Sequence, residues 1–214
     1  RKSPPPSGYC ATGPNQVWSW DITFLPTAIR GWFFYLYMIV DVFSRKIVGW
    51  EVYDRESSEY AAELVYKAVL AEGCILKPLV LHADNGSAQR GFTLNAKLQS
   101  LGIRASFSRP RVSNDNPFSE ALFRTCKYRP NYPRGGFEGI EPARAWVERF
   151  VRWYNRIHRH SAIRYVTPDQ RHRGEDRQIL RRRRALYEAA RLQNRDRWSG
   201  AIRVDSHIIS PEIS

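Results

Sequence analysis

An α/β fold on a mixed five-stranded sheet is predicted by two features of this 214-residue chain. Three strand-like stretches, 17–25, 32–43 and 46–53, follow one another across short turns around Ala28–Gly31 and Ser44–Lys46. After them the hydrophobic period lengthens, and helical and strand-like segments alternate as far as residue 160.

The first three stretches are rich in Val, Ile, Trp, Tyr and Phe, and their close spacing predicts an antiparallel meander. The second is apolar on both faces, which places it in the sheet's interior. Over 57–72, Ala61, Leu64, Val65, Ala68 and Val69 recur at helical spacing, with Ser57 or Ser58 to cap the start and Gly73 the end. Pro78–His82 reads as a short buried strand delivering Asp84 at its carboxyl end, 92–101 as a helix closed by Gly102, and 103–107 as the fifth strand. Residues 108–116 read as a polar loop, after which Asn116 and Pro117 suit the cap and first position of a helix. On that helix Glu120, Arg124 and Lys127 share one face, and Phe118, Ala121, Leu122 and Thr125 the opposite one. A long helix over 141–160 has an apolar side of Trp146, Val147, Phe150, Trp153, Tyr154 and Ile157. Arg149, Arg152, Arg156 and Arg159 fall in a narrow sector on its other side, a pattern suited to phosphate.

Residues 1–14, rich in Pro, Gly and Ser, read as a linker, 15–168 as the core, and 169–214 as a basic tail with Arg181–Arg184 consecutive. Net charge is +13 and the pI near 10, which points to a polyanionic partner. The charge is concentrated around Glu120: residues 104–134 hold seven Arg and Lys, Arg109 and Arg111 among them, against Asp115 and Glu120. Cys10, Cys74 and Cys126 form no paired motif, which argues for reduced thiols in a cytoplasmic protein and against a disulfide framework or a zinc site. The longest apolar run, 32–40, is too short to span a bilayer, and the chain starts at Arg with no signal peptide.

Three acids stand out by their surroundings. Asp21 lies in VWSWDITFLPT, Asp84 in VLHADNG and Glu120 in SRPRVSNDNPFSEALFRTCKYRP, with 35 residues between the last two. Carboxylates so far apart in a basic chain are gathered only by a fold, and the chemistry that needs them bare is divalent-metal binding. Mg²⁺ prefers hard oxygen ligands and keeps positions open for phosphate. Two such ions about 3.5–4 Å apart activate a hydroxyl and stabilise the leaving oxygen of a phosphodiester. Asp41 and Asp115 read as turn and loop residues, and His82 as a residue facing substrate or standing behind Asp84, a satisfied core histidine being equally open.

These motifs, with GWFFYLYMIVDVFSRKIVGW and WYNRIHRHSAIRYVTP, resemble in order the catalytic core of insertion-sequence-three (OrfAB type) transposases, DDE recombinases akin to retroviral integrase. The resemblance runs from about Val17 to Pro168, and Cys126 stands where the family usually has Leu. It implies an RNase H-like fold with a C-terminal helical extension, and Asp21, Asp84 and Glu120 as catalytic ligands of two Mg²⁺ or Mn²⁺ ions. It also implies cutting and joining of double-stranded DNA at element ends and target, with Lys127 at the DNA-contacting position seven residues after the Glu. An upstream helix-turn-helix protein or domain, a homo-oligomer on DNA and a bacterial cytoplasm complete the expectation, with no membrane partner. The alternatives left open are a stand-alone RNase H-like nuclease and a non-catalytic DNA-binding remnant of a mobile element.

Overall fold

The protein is described from a computed structural model, which covers residues 9–108 and 116–194 and the backbone of 212–213. A short strand β1 (Tyr9–Cys10) precedes the meander of β2 (Val17–Pro26), β3 (Phe33–Asp41) and β4 (Ile47–Tyr53). Then come α1 (Ser58–Ala71), β5 (Leu79–Ala83), α2 (Ser87–Arg90), α3 (Phe92–Ser100) and β6 (Ile103–Phe107). The second half holds α4 (Pro117–Lys127), α5 (Ile140–Arg156), a 3₁₀ turn at Ser161–Ile163, α6 (Pro168–His172) and α7 (Asp176–Gln193). A strand β7 (Glu212–Ile213) pairs antiparallel with β1.

The main sheet has the order β4-β3-β2-β5-β6, antiparallel across β4-β3-β2 and parallel across β2-β5-β6. This is the predicted mixed sheet, with β2 at its centre. Alternation along each strand sends side chains to two cores. Trp18 and Trp20 of β2, Leu79, Leu81 and Ala83 of β5, and Ile103 of β6 pack under α1 and α3. Leu25 of β2 and Leu36, Met38 and Val40 of β3 pack under α4 and α5, against Leu122, Cys126, Val147 and Phe150. The sheet is thus covered on both faces.

Three local expectations are corrected. The long helix stops at Arg156 rather than His160: the amides of Ile157 and His158 both donate to the Trp153 carbonyl, and the His158 and His160 rings turn back onto Tyr154. Arg159 therefore lies off the helix and outside the arginine sector. On α4 the buried residues are Ser119, Leu122, Phe123 and Cys126, whereas Ala121 is exposed, so the apolar face is rotated from the one predicted. Asn116 makes no capping bond through its side chain; its amide has another use, described below.

Residues that read as loop or tail also carry structure. Ala11 is fully buried with Val17 and Val42. Asp41, also fully buried, accepts from the amides of Asn15 and Ser44 (both 2.7 Å) and from Ser44 Oγ (2.6 Å), so it shapes a turn as predicted. His172 of α6 reaches the same place: its Nδ1 lies 2.9 Å from Ser44 Oγ and its Nε2 2.8 Å from Glu72 Oε2, while Lys46 Nζ binds Glu72 Oε1 at 2.6 Å. This network pins α6 to the sheet. No described helix is long and apolar enough to cross a membrane.

Candidate active site

Strand register decides where the first two acids meet. In the parallel ladder Ser19 stands beside His82 and Trp20 beside Ala83. One residue beyond this last pair lie Asp21, still within β2, and Asp84, the first residue after the carboxyl end of β5. Alternation gives both acids the same side. Trp18 and Trp20 face α1 and α3, so Ser19 and Asp21 face α4; Leu81 and Ala83 likewise leave His82 and Asp84 on the α4 side.

Glu120 is brought to that side by a buried polar contact at the start of α4. Ser19 Oγ donates to Asn116 Oδ1 and lies 2.8 Å from Ser119 Oγ, and Asn116 Nδ2 donates to the Trp20 carbonyl at 3.3 Å. All three side chains are almost fully buried, so leaving any of their polar groups unpaired would be costly. The contact fixes the start of α4 against Ser19 and Trp20, the strand residues just before Asp21. Glu120 is exposed in that turn, where the helix dipole favours a carboxylate.

Asp84 is held from behind by a residue the sequence reading did not single out. Ser108 Oγ donates to Asp84 Oδ1 at 2.6 Å and lies 3.4 Å from His82 Nε2; His82 Nδ1 is 3.0 Å from Ser106 Oγ. His82 is fully buried and stands behind Asp84, in contact with Ser108. Asn85 also reaches Ser108, donating from Nδ2 to its carbonyl at 2.6 Å. These bonds tie the carboxyl ends of β5 and β6 together.

Asp21 Oδ1 accepts from the Ile22 amide at 2.7 Å and, at a long 3.4 Å, from Gln89 Nε2 of α2. Gly86 makes room for that amide: a Cβ there would stand 2.1 Å from Gln89 Oε1. The Asp21 carboxyl is pushed up to about 7, chiefly by burial and then by the negative charges of Asp84, Glu120 and Glu56, against the pull of the Ile22 amide. Asp21 therefore feels the charge of both other predicted acids. Among the described residues, no group of three His, Cys, Asp or Glu side chains is closed up to metal-ligand spacing. The donor set nonetheless suits a hard divalent cation, being all oxygen and mutually repelling without a positive charge among them.

The basic residues fall into distinct environments. Arg124 is exposed one turn beyond Glu120, with its guanidinium 5.8 Å from the Tyr128 ring. Lys127 is half-buried on the same side, and burial lowers its ammonium below the usual range. Arg152 pairs with Glu148 at 2.6 Å, and Arg156 lies 3.7 Å from Asp169. Arg149 and Arg159 are exposed without an ion pair among the described residues. Arg109 and Arg111 lie outside the described residues.

Two family profiles, both described as "Integrase core domain", match residues 11–113 and 101–168. The transposase for insertion sequence element IS904 of Lactococcus lactis subsp. lactis (strain IL1403) is 32% identical over 160 residues, covering 74% of this chain and 61% of the relative. Transposase InsF for insertion sequence IS3A of Escherichia coli (strain K12) is 30% identical over 165 residues, covering 76% of this chain and 55% of the relative. The chain thus spans roughly three-fifths of the length of these curated relatives or less. Among solved structures, the HTLV-2 integrase catalytic core domain in complex with magnesium matches with a TM-score of 0.52 and 21% identity, over 75% of this chain and 97% of that one. That likeness establishes the RNase H-like fold.

Proposed function

The chain belongs to the integrase core domain family, and from that premise we propose that it is the catalytic core of a DNA transposase, a DDE-type polynucleotidyl transferase. The observation that supports this reading is the register of β2 and β5, which pairs Trp20 with Ala83 immediately before Asp21 and Asp84, together with the Ser19–Asn116–Ser119 contact that packs the turn bearing Glu120 on β2. Asp21, Asp84 and Glu120 would hold the divalent cations, two Mg²⁺ or Mn²⁺ ions, and the magnesium in the HTLV-2 core domain supports the choice of metal. Such ions supply activation of the attacking hydroxyl and stabilisation of the leaving oxygen.

The chain's own residues set the geometry. Ser108 orients Asp84 by donating to one of its carboxylate oxygens. The Ile22 amide and Gln89 do the same for Asp21. Arg124 and Lys127, on the exposed side of α4 beyond Glu120, neutralise phosphates on either side of the reacting one. Water serves as nucleophile for cleavage and a DNA 3′-hydroxyl for joining, so no side-chain nucleophile is required. Recognition of element ends falls to an upstream helix-turn-helix module, because arginines along a backbone position DNA without reading its sequence. Residues 15–168 form the catalytic unit and 169–214 a basic extension, acting on double-stranded DNA in a homo-oligomer within the bacterial cytoplasm.

The test is an assay with pre-cut duplex ends and target DNA in Mg²⁺. Joined products are expected. Cleavage without joining would assign a nuclease, and binding without either reaction a DNA-binding remnant.

A further inference from the structure

Beyond the candidate active site, β2 runs on past the end of β5 to the turn that joins it to β3. That turn is built firmly. The Thr27 amide donates to the Trp32 carbonyl and the Trp32 amide to the Ile29 carbonyl, both at 3.1 Å, and Gly31 supplies the positive φ of 87°. It is also pinned from the side by the segment before α5: Ala28 donates to the Phe137 carbonyl at 3.0 Å and Phe137 to the Pro26 carbonyl at 2.9 Å. Gly136 lies so close that a Cβ there would stand 2.3 Å from the Thr27 carbonyl oxygen.

This held turn displays what a core would normally hide. Trp32 is 70% exposed and Ile29 64%. Arg30 and Arg134 flank them, both exposed and neither in an ion pair among the described residues. A cleft of about 320 Å³ runs between residues 26–33 and 134–136. An apolar surface rimmed by uncompensated guanidinium groups suits a polyanion. It does not suit a second copy meeting tip to tip, which would set the same arginines against each other.

We propose that the β2–β3 tip is a second DNA-contact surface, with Arg30 and Arg134 on backbone phosphates and the Trp32 indole packed against sugar and base edges in the groove between them. The proposal rests on the catalytic reading for its choice of duplex DNA. Position follows from the strand: Ala28 lies seven residues beyond Asp21, at most about 23 Å at roughly 3.3 Å per residue. At about 3.4 Å per base pair, the tip meets DNA some seven base pairs from the reacting phosphate.

The experiment compares the full chain with Trp32→Ala and with Arg30→Ala/Arg134→Ala. Duplexes extend about 5 or about 20 base pairs from the pre-cut end, lengths that bracket the strand's reach. On the long duplex Trp32→Ala is expected to weaken binding on the order of tenfold, from the apolar surface that the indole no longer buries in the groove. The double arginine variant should lower the salt slope by about 2. Binding and Mg²⁺-dependent joining of the short duplex should be unchanged. Equal loss on both lengths, or none on either, overturns the proposal. So does a change in sedimentation with unaltered DNA affinity, which would make the tip a protein contact. If the wild-type chain joins nothing while the length-dependent loss of binding persists, the catalytic reading fails and the tip contact stands.

Discussion

Asn116 donates from Nδ2 to the main-chain carbonyl of Trp20 at 3.3 Å, binding the residue before α4 to the residue before Asp21. Helix and strand are thereby locked together at the point where two of the three acids depart from them. Asn116→Ala removes this bond and leaves buried Ser19 with Ser119 as its remaining side-chain partner among the described residues. Stability is expected to fall by about 1–3 kcal/mol in urea denaturation. Activity should fall further than the unfolded fraction explains, because Glu120 loses its fixed approach. Activity that merely tracks the folded fraction would reduce Asn116 to a packing residue.

Ser108→Ala tests the support behind Asp84. Removing the donor 2.6 Å from Asp84 Oδ1 frees that carboxylate to rotate. Partners behind metal ligands typically contribute about 10–100-fold in metal affinity or activity. A loss of that size in Mn²⁺ titration is expected, with Ser108→Thr restoring part of it. Unchanged affinity would show that Asp84 needs no orientation from Ser108.

How much of this was legible in the sequence depends on the kind of signal. The individual elements followed from apolar runs and their spacing, their assembly into one sheet from the family resemblance, and Asp21 and Asp84 from motifs within one strand and just beyond another. The facing of α4 was misjudged because Ser119 is small and polar, yet it is buried against Ser19 from a strand 100 residues earlier. Asn116 read as a cap because a local bond is the commonest use of an asparagine there, whereas the fold offered it a distant partner. The early end of α5 was hidden because Ile157 continues the apolar period, although it is 66% exposed. Ser108 carried no mark in the sequence, since its role depends on the pairing of β5 with β6.

The network around His172 predicts a pH window for stability. Burial alone would raise Glu72, but hydrogen bonds from His172 and Lys46 bring it from 4.5 down to about 2. Burial would lower His172, but the carboxylates of Asp41, 3.8 Å away, and of Glu72, 2.8 Å away, carry it above its ordinary 6.5. The depressed acid contributes stability above its unfolded value, lost as pH falls from 4.5 toward 2. The raised histidine contributes stability below 6.5, lost as pH climbs through its higher folded value. The stability difference between the wild-type chain and His172→Ala is expected to peak between those limits in thermal melts. A difference independent of pH would mean that the network is not ionised as described.

Lys127→Ala and Arg124→Ala should each weaken binding to duplex DNA and lower the slope of log affinity against log salt by about 1. Metal affinity should be unaffected. Slopes equal to that of the wild-type chain would leave both as ordinary solvent-facing charges.

The central claim is that three carboxylates, distant in sequence, form one divalent-cation site. Calorimetric titration of Mn²⁺ into the wild-type chain and into Asp21→Asn, Asp84→Asn and Glu120→Gln tests it most directly. Each substitution is expected to weaken binding at least about tenfold, comparable to or greater than losing a partner behind a ligand, while the folded state is kept or slightly stabilised by relief of charge repulsion. Mn²⁺ affinity that is unchanged in any one of the three variants would contradict the account.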